Sequence, residues 1–277
     1  MNIRLALNAM LATLLLGGCT SAGQRLDQRA REAGLETVHI TAGEFPSIVY
    51  LKRSAAADHA TGSISAGPLT IFLESDGIPW RDGRQPSTDP TTLQPVALEI
   101  LMRSAGPSAY ISRPCYNGVR SDKCNVEHWT GARYSTEIVE SMVATVREAQ
   151  RRVGAESVSF VGYSGGGALA VLVAEQLDNV VSVITVAANL DTDAWTEHHK
   201  YLRLSQSLNP ALSDKPHPWP ELHLRGANDG VVPPATTERY FARYPRAQQR
   251  TIEGFDHVCC WVQEWPAISE APTPRAP

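Results

Sequence analysis

The chain alternates short apolar runs with longer stretches of helical periodicity. Eight runs read as strands: Thr37 to Thr41, Ser47 to Lys52, Leu69 to Glu74, Ala109 to Ser112, Ser157 to Val161, Val180 to Ala187, Glu221 to Arg225 and Gln248 to Ile252. Several are short, β-branched and free of interior polar residues, as strands buried on both faces are. The first two, joined across Gly43 to Pro46, predict an antiparallel hairpin at a sheet edge. The strongest helical pattern runs from Ser135 to Arg152. There Ile138, Val139, Met142, Val143, Val146 and Ala149 share one face, Ser135 or Thr136 can cap the start, and Gly154 can end it. That stripe is what packing on a sheet requires. Strands and helices in alternation predict an α/β fold: a mostly parallel central sheet of about eight strands with helices on both faces.

Two stretches break the pattern, Ser75 to Pro95 and Asn189 to Pro220, both proline-rich and read as irregular. Loops of that length in a compact domain are usually functional or floppy, and both are expected over the strand ends, where ligands bind. Gln24 to Ala33 is polar and reads as a short helix or a tether, within a tether assigned to residues 19–34. Residues 35–268 form the expected single domain, and 269–277, rich in proline and alanine, a disordered tail. There is no internal repeat.

The N-terminus has a different character. Arg4 precedes an apolar run from Leu5 to Leu16, the layout of a signal peptide over residues 1–18. The run is shorter than the roughly 20 residues of a bilayer span. Leu16, Gly17, Gly18 and Cys19 together resemble a bacterial lipobox. The resemblance implies that Cys19 becomes the lipidated first residue, anchoring the protein to a membrane as an exported lipoprotein. Ser21, rather than Asp, resembles the outer-membrane sorting pattern, which leaves a periplasm-facing or a cell-surface location open. The alternative is ordinary signal-peptidase cleavage nearby, with Cys19 left as a thiol.

Composition narrows the class. A chain of 277 residues, 43% apolar and 19% charged, can bury one substantial core. A formal charge of −4 without a long Lys/Arg block gives no footprint for nucleic acid. Outside the cytoplasm disulfides persist. Apart from Cys19, four cysteines allow three pairings, which sequence does not decide rigorously. Cys115 with Cys124 is favoured, because Asn117 and Gly118 form a turn between them. Cys259 and Cys260 are then free thiols or a vicinal disulfide. No spacing matches a zinc site, and no metal or cofactor is implied.

The chemistry concentrates at one turn. Val158 to Val161 is a buried-strand pattern, Gly162, Tyr163, Ser164, Gly165 and Gly166 follow at once, and Gly167 to Ala174 reads as a helix. A strand, a sharp turn carrying Ser, and a helix make a nucleophile elbow, whose crowding demands small residues two before and two after the serine. A serine hydroxyl needs a base, and the base needs an acceptor to hold its tautomer. Asp229 lies in a turn after the strand pattern ending at Arg225, followed by Val232 and Pro233; His257 follows the last strand after Gly254. The order Ser, acid, His and the loops around Asp229 and His257 resemble the α/β-hydrolase family over nearly all of the mature chain. The resemblance implies a serine hydrolase with Ser164 as nucleophile, His257 as base and Asp229 as acid. Asp191 and Asp193, after the preceding strand, are the rival acids. Asp256 is poorly placed to reach the ring of its neighbour. His198 and His199 fall in the irregular stretch from Asn189 to Pro220 and line or solvate it; His39, His59, His128, His217 and His223 have no motif around them.

The family also implies an oxyanion hole. One donor is the backbone of Gly165; the other, by position, is the N–H of Ile78 in the loop after Leu73. Many family members read His-Gly where this chain has Asp76 and Gly77, so Asp76 is expected to face away and brace the loop. The activity implied is hydrolysis of a small acyl ester through an acyl-enzyme. Amide or peptide hydrolysis, acyl transfer, and a lipid-tethered binding protein without catalysis are the alternatives. Trp80, Trp129, Trp195 and Trp261 serve core packing or line a ligand site.

Overall fold

In the computed structural model, residues 20–53 and 67–269 are described. The signal peptide, Cys19 and all of the tail beyond residue 269 lie outside them. In chain order the principal elements are α1 (Ala22–Glu32), β1 (Glu36–Ile40), β2 (Ser47–Lys52), β3 (Leu69–Leu73), β4 (Trp80–Arg81), β5 (Gln85–Pro86), α2 (Val96–Arg103), β6 (Ser108–Ile111), α3 (Thr136–Val153) and β7 (Val158–Tyr163). There follow α4 (Gly165–Ala174), β8 (Val180–Val186), α5 (Thr192–His199), β9 (Glu221–Gly226), α6 (Glu238–Arg243), β10 (Gln248–Ile252) and α7 (Trp261–Ile268).

Eight strands form one sheet in the order β1-β2-β6-β3-β7-β8-β9-β10. The β1–β2 hairpin is antiparallel, with Val38 opposite Val49, and sits at the edge; β2 also runs antiparallel to β6. From β6 to β10 every pairing is parallel. Because successive strand side chains point to opposite faces, each inner strand feeds two cores. Leu69, Ile71, Val158 and Phe160 pack on one face with Ile138, Met142 and Val146 of α3. Phe72, Val161, Ile184 and Leu224 pack on the other with Leu26 of α1, Leu98 of α2 and Trp261 of α7. This is the α/β-hydrolase fold.

The ends of α3 follow its sequence: Ser135 accepts a hydrogen bond from Ile138 N, and Gly154 terminates the helix with φ +69°. The segment read as a helix or tether is a docked helix. Ser21 and Gln24 close a capping box at its start, and Leu26 and Ala30 are buried.

The stretch from Asn189 to Pro220, read as irregular, contains α5. Its sequence carries almost no apolar stripe, and only Thr192 and Thr196 are buried, so periodicity gave no signal. What starts the helix is Asp191, whose Oδ1 accepts from Ala194 N at 3.2 Å. The stretch from Ser75 to Pro95 is irregular apart from the β4–β5 pairing. Trp129 and Trp261 are buried, whereas Trp80 and Trp195 are half-buried. Among the described residues no helix is long and apolar enough to cross a membrane.

Candidate active site

Ser164 stands between β7 and α4 with φ +54° and ψ −122°, a backbone conformation that a side chain adopts only under constraint. The constraint is visible in its neighbours. A Cβ on Gly162 would lie 2.4 Å from Gly166 O, and one on Gly166 would lie 2.2 Å from Leu73 O. The main chain of Ser164 is held at both ends: its N–H donates to Val186 O at 2.8 Å, and its carbonyl accepts from Gly167 N at 2.9 Å. The hydroxyl thus projects from a rigid turn at the carboxyl edge of the sheet.

Asp229 and His257 reach the same edge from the ends of β9 and β10. Their loops are stitched together by Ala227 N to Ile252 O at 3.0 Å and Asn228 N to Phe255 O at 2.9 Å. The His257 Nδ1 lies 2.8 Å from Asp229 Oδ2, and Nε2 lies 3.1 Å from Ser164 Oγ. With the Nδ1 proton donated to the carboxylate, Nε2 is left as acceptor for the serine hydroxyl. The second oxygen of Asp229 accepts from Val231 N at 2.8 Å and Val232 N at 2.7 Å, which fixes the buried carboxylate. The three side chains predicted from sequence are therefore brought together.

The rival acids are engaged elsewhere. Asp191 caps α5, accepts from Asn209 Nδ2 at 2.9 Å and forms a two-point ion pair with Arg239, while Asp193 pairs with Arg203 at 2.8 Å. Asp256 turns its Oδ1 back onto Val258 N and Cys259 N. Of the other histidines, His217 and His223 are locked in a buried network with Glu175 and Glu221 at the opposite end of β9. His199 lies 2.8 Å from Val231 O, an oxygen that Trp195 Nε1 also reaches at 2.7 Å, so α5 buttresses the loop that carries Asp229.

The second oxyanion donor requires correction. Ile78 N–H donates to Pro90 O at 2.8 Å and is not free for a ligand. The reason lies one residue earlier: Gly77 has φ +63°, and a Cβ there would sit 2.0 Å from Pro90 O, so the loop closes on itself at this point. Gly165, in contrast, opens α4, where the first N–H groups have no intrahelical acceptor.

Asp76 is the part of this loop that touches the elbow; a Cβ on Gly165 would lie 2.1 Å from its Oδ1. Its carboxylate receives Arg113, Arg133 (2.9 Å) and the Tyr134 hydroxyl (2.7 Å). Burial by itself would raise this carboxyl, but the charges of Arg133 and Arg113 and the hydrogen bonds from Arg113 and Tyr134 outweigh it and hold it at about 2. Beside it Glu74 is pushed up to about 7 by burial, against hydrogen bonds from Ser75 N and Ala97 N. Sequence reading missed Arg113, Arg133, Tyr134 and Glu74. The signal available was weak: a charge after an apolar run, normally a solvated loop residue.

Cys115 and Cys124 are disulfide-bonded with Cα atoms 5.7 Å apart, and Cys259 is bonded to Cys260. Among the described residues no cluster of three or more His, Cys, Asp or Glu is gathered to hold a metal.

The sequence matches no protein-family model and no curated protein. Solved structures match the fold. An esterase from Pyrococcus furiosus aligns with TM-score 0.59 at 11% identity, covering 85% of this chain and 87% of its own. An α/β serine hydrolase homologue from Coxiella burnetii aligns with TM-score 0.54 at 15% identity, covering 85% and 94%. A puromycin-hydrolysing peptidase from Mycobacterium tuberculosis aligns with TM-score 0.56 at 18% identity, covering 80% of this chain and 36% of that one. The fold is thus similar to that of α/β serine hydrolases and esterases.

Proposed function

We propose that the protein is a serine hydrolase that cleaves carboxylic esters through an acyl-enzyme. The observation that carries this reading is the relay from Ser164 Oγ through His257 Nε2 and Nδ1 to Asp229, with links of 3.1 and 2.8 Å. Ser164 Oγ attacks the acyl carbon while its proton passes to Nε2, and the carbonyl oxygen becomes an oxyanion. Collapse breaks the bond to the leaving oxygen, which takes the proton from Nε2. Water then repeats the sequence with its own proton: it attacks the acyl carbon, Ser164 leaves, and the acid is released. Asp229 holds the ring in the tautomer that makes Nε2 the acceptor and stabilises the imidazolium. The Gly165 N–H supplies one oxyanion donor.

The test is labelling by a fluorophosphonate probe together with turnover of p-nitrophenyl esters. Labelling and turnover are expected in the wild type and lost in Ser164→Ala; a folded wild type that neither labels nor turns over would overturn the reading. Matched ester and amide substrates separate an esterase from an amidase, the ester being the better substrate expected. We also propose export and membrane tethering through a lipidated Cys19, supported by the lipobox-like run from Leu16 to Cys19. Mass spectrometry of the mature N-terminus tests it, and cleavage that leaves Cys19 unmodified would overturn it.

A further inference from the structure

With Ile78 N–H engaged, the oxyanion hole lacks its second donor. In the loop after β3, Ser75 N–H donates to Glu74 Oε1 at 2.9 Å, Gly77 N–H to Ser75 Oγ at 3.3 Å and Ile78 N–H to Pro90 O at 2.8 Å. Asp76 N–H has no partner among the described residues. Every other polar group of Asp76 is held. Its carboxylate is clamped by Arg113, Arg133 and Tyr134, and its carbonyl accepts from the Tyr116 hydroxyl at 3.0 Å. The clamped residue is also the one packed on Gly165, which carries the first donor.

We propose that the main-chain N–H of Asp76 is the second oxyanion donor, and that Arg113, Arg133 and Tyr116 are positioning residues that fix it beside Gly165. This rests on the hydrolase reading. Donors in an oxyanion hole act because they are aligned before charge develops, so a loop residue in this role must be immobilised by its surroundings. Four side-chain groups converging on one residue do that.

The clamp also resolves an electrostatic conflict. An aspartate beside a developing anion would oppose it, yet two buried guanidiniums pair with this one carboxylate, so the three charged groups of the clamp itself sum to a net positive charge. Arg113 and Arg133 have side chains only 2% and 4% exposed, so water screens that charge poorly. The proton and electron bookkeeping of the ester reaction is unchanged; the clamp acts only on the tetrahedral state.

The experiment compares Arg113→Lys, Arg133→Lys, Asp76→Asn and Tyr116→Phe with the wild type. Its readouts are p-nitrophenyl ester kinetics, inhibition by an aryl boronic acid that forms a tetrahedral adduct on Ser164, and thermal melting. Loss of a whole oxyanion donor costs roughly 100-fold or more in kcat, so a loosened donor is expected to cost about tenfold in the arginine variants and about threefold in Tyr116→Phe. The loss should fall on kcat rather than KM, and boronate affinity should weaken in proportion. Folded variants that retain wild-type kcat and boronate affinity would overturn the proposal. Should the arginine variants not fold, Tyr116→Phe, which removes one hydroxyl, decides it by the same readouts. If the wild type is labelled at Ser164 by fluorophosphonate and these variants bind boronate normally, only the clamp is wrong; if the wild type is not labelled, the hydrolase reading fails and takes the clamp with it.

Discussion

The Tyr163 hydroxyl donates to the main-chain oxygen of His257 at 2.9 Å, tying the residue before Ser164 to the histidine 94 positions after Tyr163. Trp261 Nε1 reaches the same oxygen at 3.0 Å, so the histidine loop is pinned from two sides. Burial raises the Tyr163 phenol above its ordinary value, and it remains a protonated donor throughout the working range. A hydrogen bond of this kind contributes about 1 kcal/mol, equivalent to roughly fivefold in rate when it positions a catalytic group. Tyr163→Phe is expected to fold normally and to lower kcat/KM for esters by about that factor, measured by steady-state kinetics. Unchanged kinetics would mean that Trp261 alone suffices.

The two carboxylates considered for the acid should separate cleanly. Asp229→Asn removes the charge that sets the His257 tautomer and is expected to lower kcat by on the order of 10³ to 10⁴ with little change in melting temperature. Asp191→Asn weakens an α5 cap and the Arg239 pair instead. It is expected to lower the melting temperature by a few degrees, at about 1 kcal/mol per lost cap, while kcat stays within a few-fold of wild type. The reverse pattern would make Asp191 the acid.

Breaking the Cys115–Cys124 disulfide should act on stability. The bond closes a loop of separation 9 in sequence, worth about 2.5 kcal/mol of unfolded-state entropy on the chain-entropy account. The double variant Cys115→Ser/Cys124→Ser is expected to melt roughly 5 to 10 °C lower, read by differential scanning fluorimetry. An unaltered melting temperature would show that the surrounding packing alone holds Arg113, two residues away.

At the far end of the sheet His217 lies 2.9 Å from Glu175 Oε1 and 2.6 Å from Glu221 Oε1, stacked on Tyr244 with ring centroids 3.9 Å apart. Burial opposes its charge, but the hydrogen bonds and charges of Glu175 and Glu221 prevail and raise it to about 9. A folded-state value above the unfolded one, ~6.5, stabilises the fold fully below that lower value, and the contribution is lost as pH climbs through about 9. The melting temperature should therefore fall between pH 6.5 and 9.5, and His217→Gln should flatten that fall. A wild-type melting temperature flat over the same range would contradict the pairing.

Much of the architecture was readable in order along the chain. The eight strands fall within about two residues of their predicted ends, and for inner strands such as β3 and β7 the reason is that a strand buried on both faces must be short, apolar and β-branched whatever surrounds it. The elbow was readable for a similar reason: Gly162 and Gly166 answer a steric demand made by the turn itself. Helix α5 was not, since a polar helix held by a cap and by its neighbours leaves no periodic trace.

What the sequence by itself determined was local: the hydrophobic alternation, the cap of α3, the glycines around Ser164, and the order of Ser164, Asp229 and His257. Only the tertiary structure decided which N–H groups of the loop after β3 are engaged, and that Arg113, Arg133 and Tyr134 meet on Asp76 from positions 37 to 58 residues away. The physical reason is range. Propensity and sterics act between chain neighbours and leave a mark in the residues themselves, whereas a buried charge is satisfied by whatever partner the fold delivers.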